Sequence, residues 1–258
     1  MRVNEREGVG YVTPKLLVLD IEMRPCLAWV WQLKADYIPP QQVKEPKRLL
    51  CFSWKWLGEA ETHFASEWTE GSDGMAHILY TLLDEADIVC GWNSRRFDVP
   101  VCFTEIMLAG LNPPSPFQHL DLLLGMRKRF HLMSNRLGEV AKILGTSRKL
   151  ENSGFQLWVD VMDGKAEARV EMEEYNRADV EATEAIYLRL KAWWPSHPNV
   201  ALMAGDEFAC PACGSQALRA RGIARTAVSE FRRYHCQDCG KWSRETRRRA
   251  CTTIREIA

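Results

Sequence analysis

The segment KLLVLDIE at residues 15–22 places four consecutive apolar residues directly before two acids. Residues 15–21 have the length and composition of a short buried β-strand. Asp20 and Glu22 are two residues apart, so an extended backbone directs both carboxylates to the same face. Two carboxylates on one face repel each other unless a cation lies between them. The segment therefore indicates either a cation site or an acidic strand end that enters a loop.

The composition around this segment is that of a folded globular chain. The 258 residues are 46% hydrophobic and 26% charged, which excludes a disordered chain, and the length suggests one or two domains. The polar N-terminal region and the short apolar run at 16–19 favour neither a secretion signal nor a membrane span. We therefore expect a cytoplasmic protein that is not embedded in a membrane.

Charge is divided unevenly along the chain. The 34 basic and 34 acidic residues cancel overall, but residues 206–258 carry 11 Lys/Arg and 6 Asp/Glu, a net charge of +5. The first 205 residues carry the balancing charge of −5. A basic C-terminal segment favours a polyanionic partner, and a solvated basic surface is the alternative.

Two prolines, Pro195 and Pro198, end a long helical pattern and mark a boundary. We predict a first domain over residues 1–194, a linker over 195–207 and a second domain over 208–258. Residues 49–56 and 61–65 are predicted to form a hairpin around Gly58, next to the first strand. The predicted strands are 15–21, 49–56, 61–65, 87–91 and 117–122, and the predicted helices are 75–83, 99–109, 136–144 and 172–194.

Two further segments carry acids at positions that a ligand could approach. Asp98, in GWNSRRFDVP at residues 91–100, follows a predicted strand and begins a predicted helix. It either caps that helix or joins an acidic site. Tyr175 and Asp179 are four residues apart on the last predicted helix and share one face, either in a site or as a surface pair.

Taken in order, these segments resemble the three exonuclease motifs of the DnaQ-like, or DEDD, 3′–5′ exonuclease superfamily. The matching residues are Asp20 and Glu22 for the first motif, Asn93, Phe97 and Asp98 for the second, and Tyr175 and Asp179 for the third. The tyrosine in place of a histidine is typical of the DEDDy branch. The resemblance covers residues 15–194 and implies an RNase H-like α/β fold, with a mixed five-stranded sheet flanked by helices.

The resemblance also implies a reaction. The chain would be a 3′–5′ exonuclease that hydrolyses phosphodiester bonds of single-stranded or frayed DNA ends by a two-metal-ion mechanism. Its four carboxylates, Asp20, Glu22, Asp98 and Asp179, would hold two Mg²⁺ or Mn²⁺ ions, which suit oxygen ligands. Tyr175 would position the attacking water, because a tyrosine with a pKa of about 10 is a poor general base. A ribonuclease of the same superfamily and a catalytically silent nucleic-acid-binding adaptor are the alternatives.

Several aromatic and polar residues are candidates for secondary roles. Asn93 and Phe97 lie in the loop before Asp98 and would contact the substrate. Trp29 and Trp31 either stack on terminal bases or pack within a hydrophobic loop. Asp121 follows a predicted strand and is expected to cap the next helix.

Nine cysteines without a predicted secretion signal argue against a disulfide framework. Four of them form CPACG at 210–214 and CQDCG at 236–240, two CxxC pairs with 22 residues between them. Four thiolates in this spacing indicate a tetrahedral Zn²⁺ site, and a segment of about 50 residues with few apolar side chains needs such an ion to fold. His235 is a weaker alternative ligand. We predict a small zinc ribbon in which one structural Zn²⁺ is bound by Cys210, Cys213, Cys236 and Cys239.

The arginines of the predicted ribbon suggest its partner. We expect Arg232 and Arg233, with other arginines of the segment, to contact the phosphates of a nucleic acid. Single-stranded DNA is the favoured partner, and RNA is possible. A purely structural or protein-binding ribbon is the alternative.

Overall fold

The structure is a computed structural model that describes residues 3–4, 11–12, 14–146 and 153–254. The helix over Glu67–Glu85 is interrupted at Gly71, whose φ is 67°. In chain order the elements are β1 Val3–Asn4, β2 Tyr11–Val12, β3 Leu16–Arg24, β4 Leu27–Ala28, β5 Val43–Glu45, β6 Arg48–Trp56, β7 His63–Ser66, α1 Glu67–Glu85, β8 Ile88–Gly91, α2 Asp98–Leu108, β9 Gln118–Asp121, α3 Leu122–Arg129, α4 Leu137–Leu144, α5 Phe155–Met162, α6 Ala166–Leu190, α7 Val200–Met203, β10 Leu218–Arg225, β11 Ser229–Cys236, β12 Trp242–Arg244 and β13 Ala250–Cys251.

The chain divides into two compact units. The larger unit consists of Lys15–Arg127 and His131–Ile186, and the smaller one draws on Met1–Pro14, Lys128–Phe130 and Tyr187–Ala258. Helix α7 lies inside the predicted linker, and the predicted domain boundaries stay a prediction. Where the structure describes the chain, none of its helices has the length and apolar character that crossing a membrane requires.

The larger unit is built on a five-stranded sheet with the order β7-β6-β3-β8-β9. β3 pairs antiparallel with β6 and parallel with β8, and β9 extends the parallel side. The hairpin of β6 and β7 turns at Gly58, whose φ of 93° suits a glycine. The predicted α/β fold with a mixed five-stranded sheet is therefore confirmed.

Helices cover both faces of this sheet because β3 and β6 are apolar on both sides. Leu17, Leu19 and Ile21 of β3 pack in one core with residues of α1 and α2. On the other face, Leu50 and Cys51 of β6 pack with residues of α5 and α6. Strands that are buried on both faces read as continuous apolar runs, which explains residues 16–19.

The loop between β8 and α2 passes unusually close to β3. A Cβ added to Gly91 would lie 2.7 Å from Cβ of Ser94 and 3.0 Å from the carbonyl oxygen of Leu19. Only a glycine fits this approach without a shift of the backbone. The close contact brings the start of α2, and with it Asp98, against the acidic end of β3.

Three short helices, α3, α5 and α7, were not predicted from the sequence. α3 and α5 have eight residues each, which is about two turns and too short for a clear helical period. α6 begins six residues before the predicted start at Met172, at Ala166. These differences matter because α5 contributes a side chain to the candidate site.

The smaller unit contains a four-stranded antiparallel sheet. Its order is β10-β11-β12, and β13 also pairs with β11. A bulge lies in β10 between Ala220 and Ile223, at Gly222, whose φ is 77°. The two CxxC segments flank β10 and β11, as expected for a small ribbon fold.

An ion pair between a buried carboxylate and a half-buried arginine links α2 to β6 in the larger unit. Glu105 is only 4% exposed, and its carboxylate accepts hydrogen bonds from Arg48 Nε at 3.0 Å and Arg48 Nη2 at 2.6 Å. It also accepts one from the backbone amide of Leu49 at 3.2 Å. Removing one partner of such a pair leaves buried polar groups without compensation.

We expect Glu105→Gln to lower the free energy of unfolding by about 2 kcal/mol, because charge-assisted hydrogen bonds are lost in the interior. The measurement is denaturant unfolding at constant pH. Asp160→Asn is the matched control, since it breaks the exposed pair of Asp160 and Lys165, which contributes little. Equal unfolding curves for the two variants would contradict a structural role for Glu105.

Candidate functional site

Asp20 and Glu22 lie on the same face of β3, as their spacing predicts. They pair with Ser53 and Cys51 of β6, on the sheet face that α6 covers. Asp179 of α6 completes the group, and carboxylate oxygens of the three acids lie within 4.8 Å of one another. Residues that are far apart in the sequence thus form one acidic group.

Asp98 stands beside this group rather than in it. Its Oδ1 accepts a hydrogen bond from the backbone amide of Ile21 at 3.2 Å, so it contacts the strand between Asp20 and Glu22. The N-cap of α2 is Phe97, and the carboxylate of Asp98 bonds the amides of Ile21 and of Asp98 itself. The reading of Asp98 as only a helix cap is therefore wrong.

Burial of these acids is the dominant effect on their protonation. Burial, together with repulsion from Asp179 and Asp98, raises the pKa of Glu22 to about 8, and burial raises the pKa of Asp98 to about 7 and that of Asp179 to about 6. Burial and the charges of Asp98, Asp179 and Glu22 raise the pKa of Asp20 well above its usual range. A divalent cation would favour the charged forms, so the site suits hard oxygen-binding ions such as Mg²⁺ or Mn²⁺.

Tyr175 lies one helical turn before Asp179 and hydrogen-bonds to its carboxylate. Burial and the neighbouring acids raise the pKa of Tyr175. The phenol therefore stays protonated near neutral pH and acts as a donor. The predicted pair of Tyr175 and Asp179 is thus brought together with the acids of β3 and is not a surface pair.

Two residues of the site were not predicted from the sequence. Asn176 is fully buried, and its Nδ2 donates to Asp20 Oδ2 at 2.8 Å. Trp158 of α5 donates a hydrogen bond to Glu22 and packs edge-on against Tyr175, with ring centroids 6.3 Å apart. The only signal for Asn176 was its position next to Tyr175, whereas Trp158 lies on a helix that was missed.

Asn93 and Phe97, the two residues of the β8–α2 loop that are predicted to contact the substrate, differ in their surroundings. Asn93 has a φ of 66°, and its carbonyl oxygen accepts hydrogen bonds from the amides of Arg96 and Phe97. Phe97 packs partly against the core, and Lys47 Nζ lies 5.2 Å from the centroid of its ring. Their contact with a substrate stays a prediction.

A cavity of about 350 Å³ adjoins the acidic group. Its lining includes Met23, which follows Glu22 in β3, and Trp158, which hydrogen-bonds to Glu22. Arg24 and Lys47 give the cavity positive charge, and Phe155 and Trp158 give it aromatic surface. The lining residues are Met23, Arg24, Pro25, Lys47, Gly154, Phe155 and Trp158.

The aromatic residues after β3 are open to solvent. Trp29 is 72% exposed and Trp31 is 96% exposed, so the alternative of a packed hydrophobic loop is wrong. Asp121 has the expected capping role, since its Oδ1 accepts a hydrogen bond from the amide of Leu124 in α3. Its other oxygen accepts one from the amide of Arg95.

The four cysteines of the CxxC pairs form a second cluster, in the smaller unit. Sγ atoms are 3.6 Å apart for Cys210 and Cys239, and 3.7 Å apart for Cys213 and Cys236. Four sulfurs at about 2.3 Å from a central Zn²⁺ stand about 3.8 Å apart in a tetrahedron. The cluster could therefore hold Zn²⁺ without rearrangement.

His235 and the two predicted arginines differ in their placement. The His235 ring packs against Trp242, with centroids 4.7 Å apart, and His235 is absent from the cysteine cluster. Arg232 and Arg233 are neighbours on β11, so their side chains point to opposite faces of the sheet. Whether either contacts a nucleic acid stays a prediction.

Comparison with known proteins adds a family match. A family model described as the RNase_H superfamily matches residues 47–191. A search of curated proteins finds no match. Among solved structures, RNase D of Trypanosoma brucei is similar, with 17% sequence identity and a TM-score of 0.43. The match covers 67% of this chain and 56% of that one, so the chain spans little more than half the length of that structure.

We expect the purified protein to contain about one Zn²⁺ per chain, and Cys236→Ser to lose it, because three thiolates bind the ion far less tightly than four. Elemental analysis after dialysis measures the metal content. Cys251→Ser is the matched control, since Cys251 is an exposed cysteine outside the cluster. Full Zn²⁺ content in Cys236→Ser would contradict the assignment.

Proposed function

Because this chain belongs to the RNase H superfamily, we propose that it is a metal-dependent nuclease, and specifically a 3′–5′ exonuclease of single-stranded or frayed DNA ends. The observation that carries the proposal is the group of three carboxylates whose oxygens lie within 4.8 Å of one another. They come from β3 and α6 of the larger unit, and their negative charges lie unfavourably close together. Such a group of carboxylates repels a phosphate unless cations are bound between the carboxylates and the phosphate.

The acids fit a pair of Mg²⁺ or Mn²⁺ ions. Asp20, Glu22 and Asp179 offer hard oxygen ligands in one group. Asp98 joins as the fourth carboxylate, and it is the neighbouring charge that most raises the pKa of Asp20. When bound, two such ions activate a water and stabilise the leaving oxygen of a phosphodiester.

The neighbouring residues hold the acids in place. Asn176 donates to Asp20, Trp158 donates to Glu22, and Tyr175 donates to Asp179. Each of these three carboxylates therefore has one hydrogen-bond donor and keeps lone pairs free for other contacts. The single hydroxyl proton of Tyr175 is donated to Asp179, so Tyr175 would orient an attacking water by accepting a hydrogen bond from it at the phenolic oxygen.

The adjoining cavity is the proposed place for the terminal nucleotide. Arg24 and Lys47 offer charge-assisted hydrogen bonds to phosphate oxygens, and Phe155 and Trp158 offer aromatic surface to a base. Phe155 is 69% exposed, so a base can reach its ring. Because Trp158 both lines the cavity and hydrogen-bonds to Glu22, a strand end in the cavity would have its last phosphodiester close to the acidic group.

Two alternatives remain from the sequence. A ribonuclease of the same superfamily would use the same acids, and it differs only in accepting a strand with 2′-hydroxyl groups. A catalytically silent adaptor is disfavoured by the acids themselves, because a binding protein gains affinity for phosphates when negative charge is removed. Parallel assays with DNA and RNA oligonucleotides in Mg²⁺ separate the three possibilities.

We expect Asp179→Ala to reduce cleavage by about three orders of magnitude, because a lost carboxylate displaces the catalytic cations. The measurement is single-turnover digestion of a 5′-labelled oligonucleotide, in which a 3′–5′ exonuclease produces a ladder that shortens with time. Glu174→Ala, an exposed acid on the same helix, should digest at the wild-type rate. Equal rates for both variants would contradict the assigned site.

Tyr175→Phe should slow the chemical step about ten- to hundredfold, because one hydrogen bond is lost while the ring is kept. We expect the concentration of Mg²⁺ needed for half-maximal activity to change little, since the phenol is not a metal ligand. Single-turnover rates at saturating substrate and varied Mg²⁺ measure both quantities. An unchanged rate would reject a catalytic role for Tyr175 and leave the carboxylate assignment standing.

A further inference from the structure

One face of the sheet in the smaller unit collects arginine and aromatic side chains. In an antiparallel sheet, directly paired residues share a face, and residues two apart along a strand do so as well. β11 pairs Arg219 with His235 and His235 with Trp242, and it pairs Arg233 with Arg244. We call this surface the tryptophan face, and its members are Arg219, Arg221, Arg233, His235, Trp242 and Arg244.

The opposite face of β11 has a structural role. Cys236 belongs to the cysteine cluster, and the ring of Tyr234 packs edge-on against Phe208, with centroids 5.3 Å apart. Arg232 lies on this side and contacts Tyr234. Of the two arginines expected to contact phosphates, Arg233 therefore belongs to the tryptophan face and Arg232 does not.

Trp242 is the centre of the tryptophan face. The guanidinium carbon of Arg233 lies 4.6 Å from the centroid of its ring, and that of Arg221 lies 5.6 Å away. The indole is still 43% exposed. Cation–π contacts orient the guanidinium groups around an aromatic surface that remains partly open.

Arg233 is held in position by the bulge in β10. Its Nε donates to the carbonyl oxygen of Arg221 at 3.0 Å. A Cβ on Gly222 would lie 3.2 Å from Nη2 of Arg233, so glycine at this position leaves room for the guanidinium. A guanidinium that is already fixed loses less conformational entropy when it binds an anion.

The positive charge of the tryptophan face is not neutralised within the described residues. Within the described residues, the ion pair in the sheet of the smaller unit joins Arg225 to Glu230, and Arg225 is outside the tryptophan face. Arg221 and Arg233 lie over the exposed indole and Arg244 lies over the ring of Phe231. In the described part of the chain, none of these three or Arg219 forms an ion pair with a carboxylate. This combination matches a ligand that has both negative charge and flat aromatic groups.

We propose that the tryptophan face binds single-stranded nucleic acid, with a base stacked on Trp242 and phosphates bound by Arg221 and Arg233. The inference deepens the proposed nuclease function and rests on it for the class of ligand. Accessible bases stack on aromatic side chains whereas a duplex hides their faces, so the surface selects unpaired strands. An acidic peptide would satisfy the charges but offers no regular series of rings.

The test measures equilibrium binding without cleavage, in an Asp179→Asn background with no added Mg²⁺ and no chelator, so that Zn²⁺ is retained. Fluorescence anisotropy of labelled single-stranded DNA, single-stranded RNA and duplex DNA reports affinity at several salt concentrations. Trp242→Ala should weaken single-strand binding about ten- to hundredfold with an unchanged salt dependence. Arg233→Gln should also weaken it, and should lower the slope of log affinity against log salt concentration by about 0.7.

Arg225→Gln is the matched control, since it removes the same charge from β10 outside the tryptophan face. Wild-type affinity in Trp242→Ala with full Zn²⁺ content would overturn the proposal, as would duplex binding as tight as single-strand binding. If Trp242→Ala loses Zn²⁺, Arg233→Gln decides, and an affinity equal to that of Arg225→Gln overturns the proposal. A protein that binds as expected but never cleaves would contradict only the proposed nuclease function.

Discussion

The larger unit depends on holding carboxylates of like charge close together in its interior. Asp20, Glu22 and Asp179 meet within 4.8 Å. Burial raises the pKa values of all three, and repulsion between carboxylates also raises those of Asp20 and Glu22. An arrangement of this kind is unfavourable for a chain without bound cations. It persists because the acids stand on a rigid strand and a long helix, and because neutral donors hydrogen-bond to each of them.

The order of the strands in the sheet explains why those donors lie beside the acids. β3 lies at the centre, between an antiparallel neighbour and a parallel one, so its end is supported on both sides. One face packs on α1 and α2, and the other receives α5 and α6. Trp158 and Asn176 come from these last two helices, and the close passage at Gly91 brings Asp98 from the first face. The helices that pack on the sheet are therefore the same helices that bring these side chains to the site.

The smaller unit follows a different physical rule. Its sheet has few buried apolar residues, and the small core beside the cysteine cluster consists of Cys210, Ala212 and Cys236. Zn²⁺ bound by four thiolates would provide the cohesion that a hydrophobic core provides elsewhere. The tryptophan face of the sheet is not part of this core, so it can carry arginines and an exposed tryptophan. That freedom makes the surface available for a ligand.

The sequence by itself predicted the five strands of the larger sheet and the four cysteines of the cluster, because apolar runs and CxxC spacing are local patterns. The mixed strand order was implied only by the resemblance to the exonuclease superfamily. The sequence also identified the acids that would meet, through the order of three motifs. Only the tertiary structure decided the surroundings of those acids. Trp158 lies on a short helix with little periodicity, and Asp98 faces β3 because Gly91 permits a close approach. The structure likewise separated Arg233 from Arg232, since alternation along a strand and a bulge in its neighbour fix which side chain reaches Trp242.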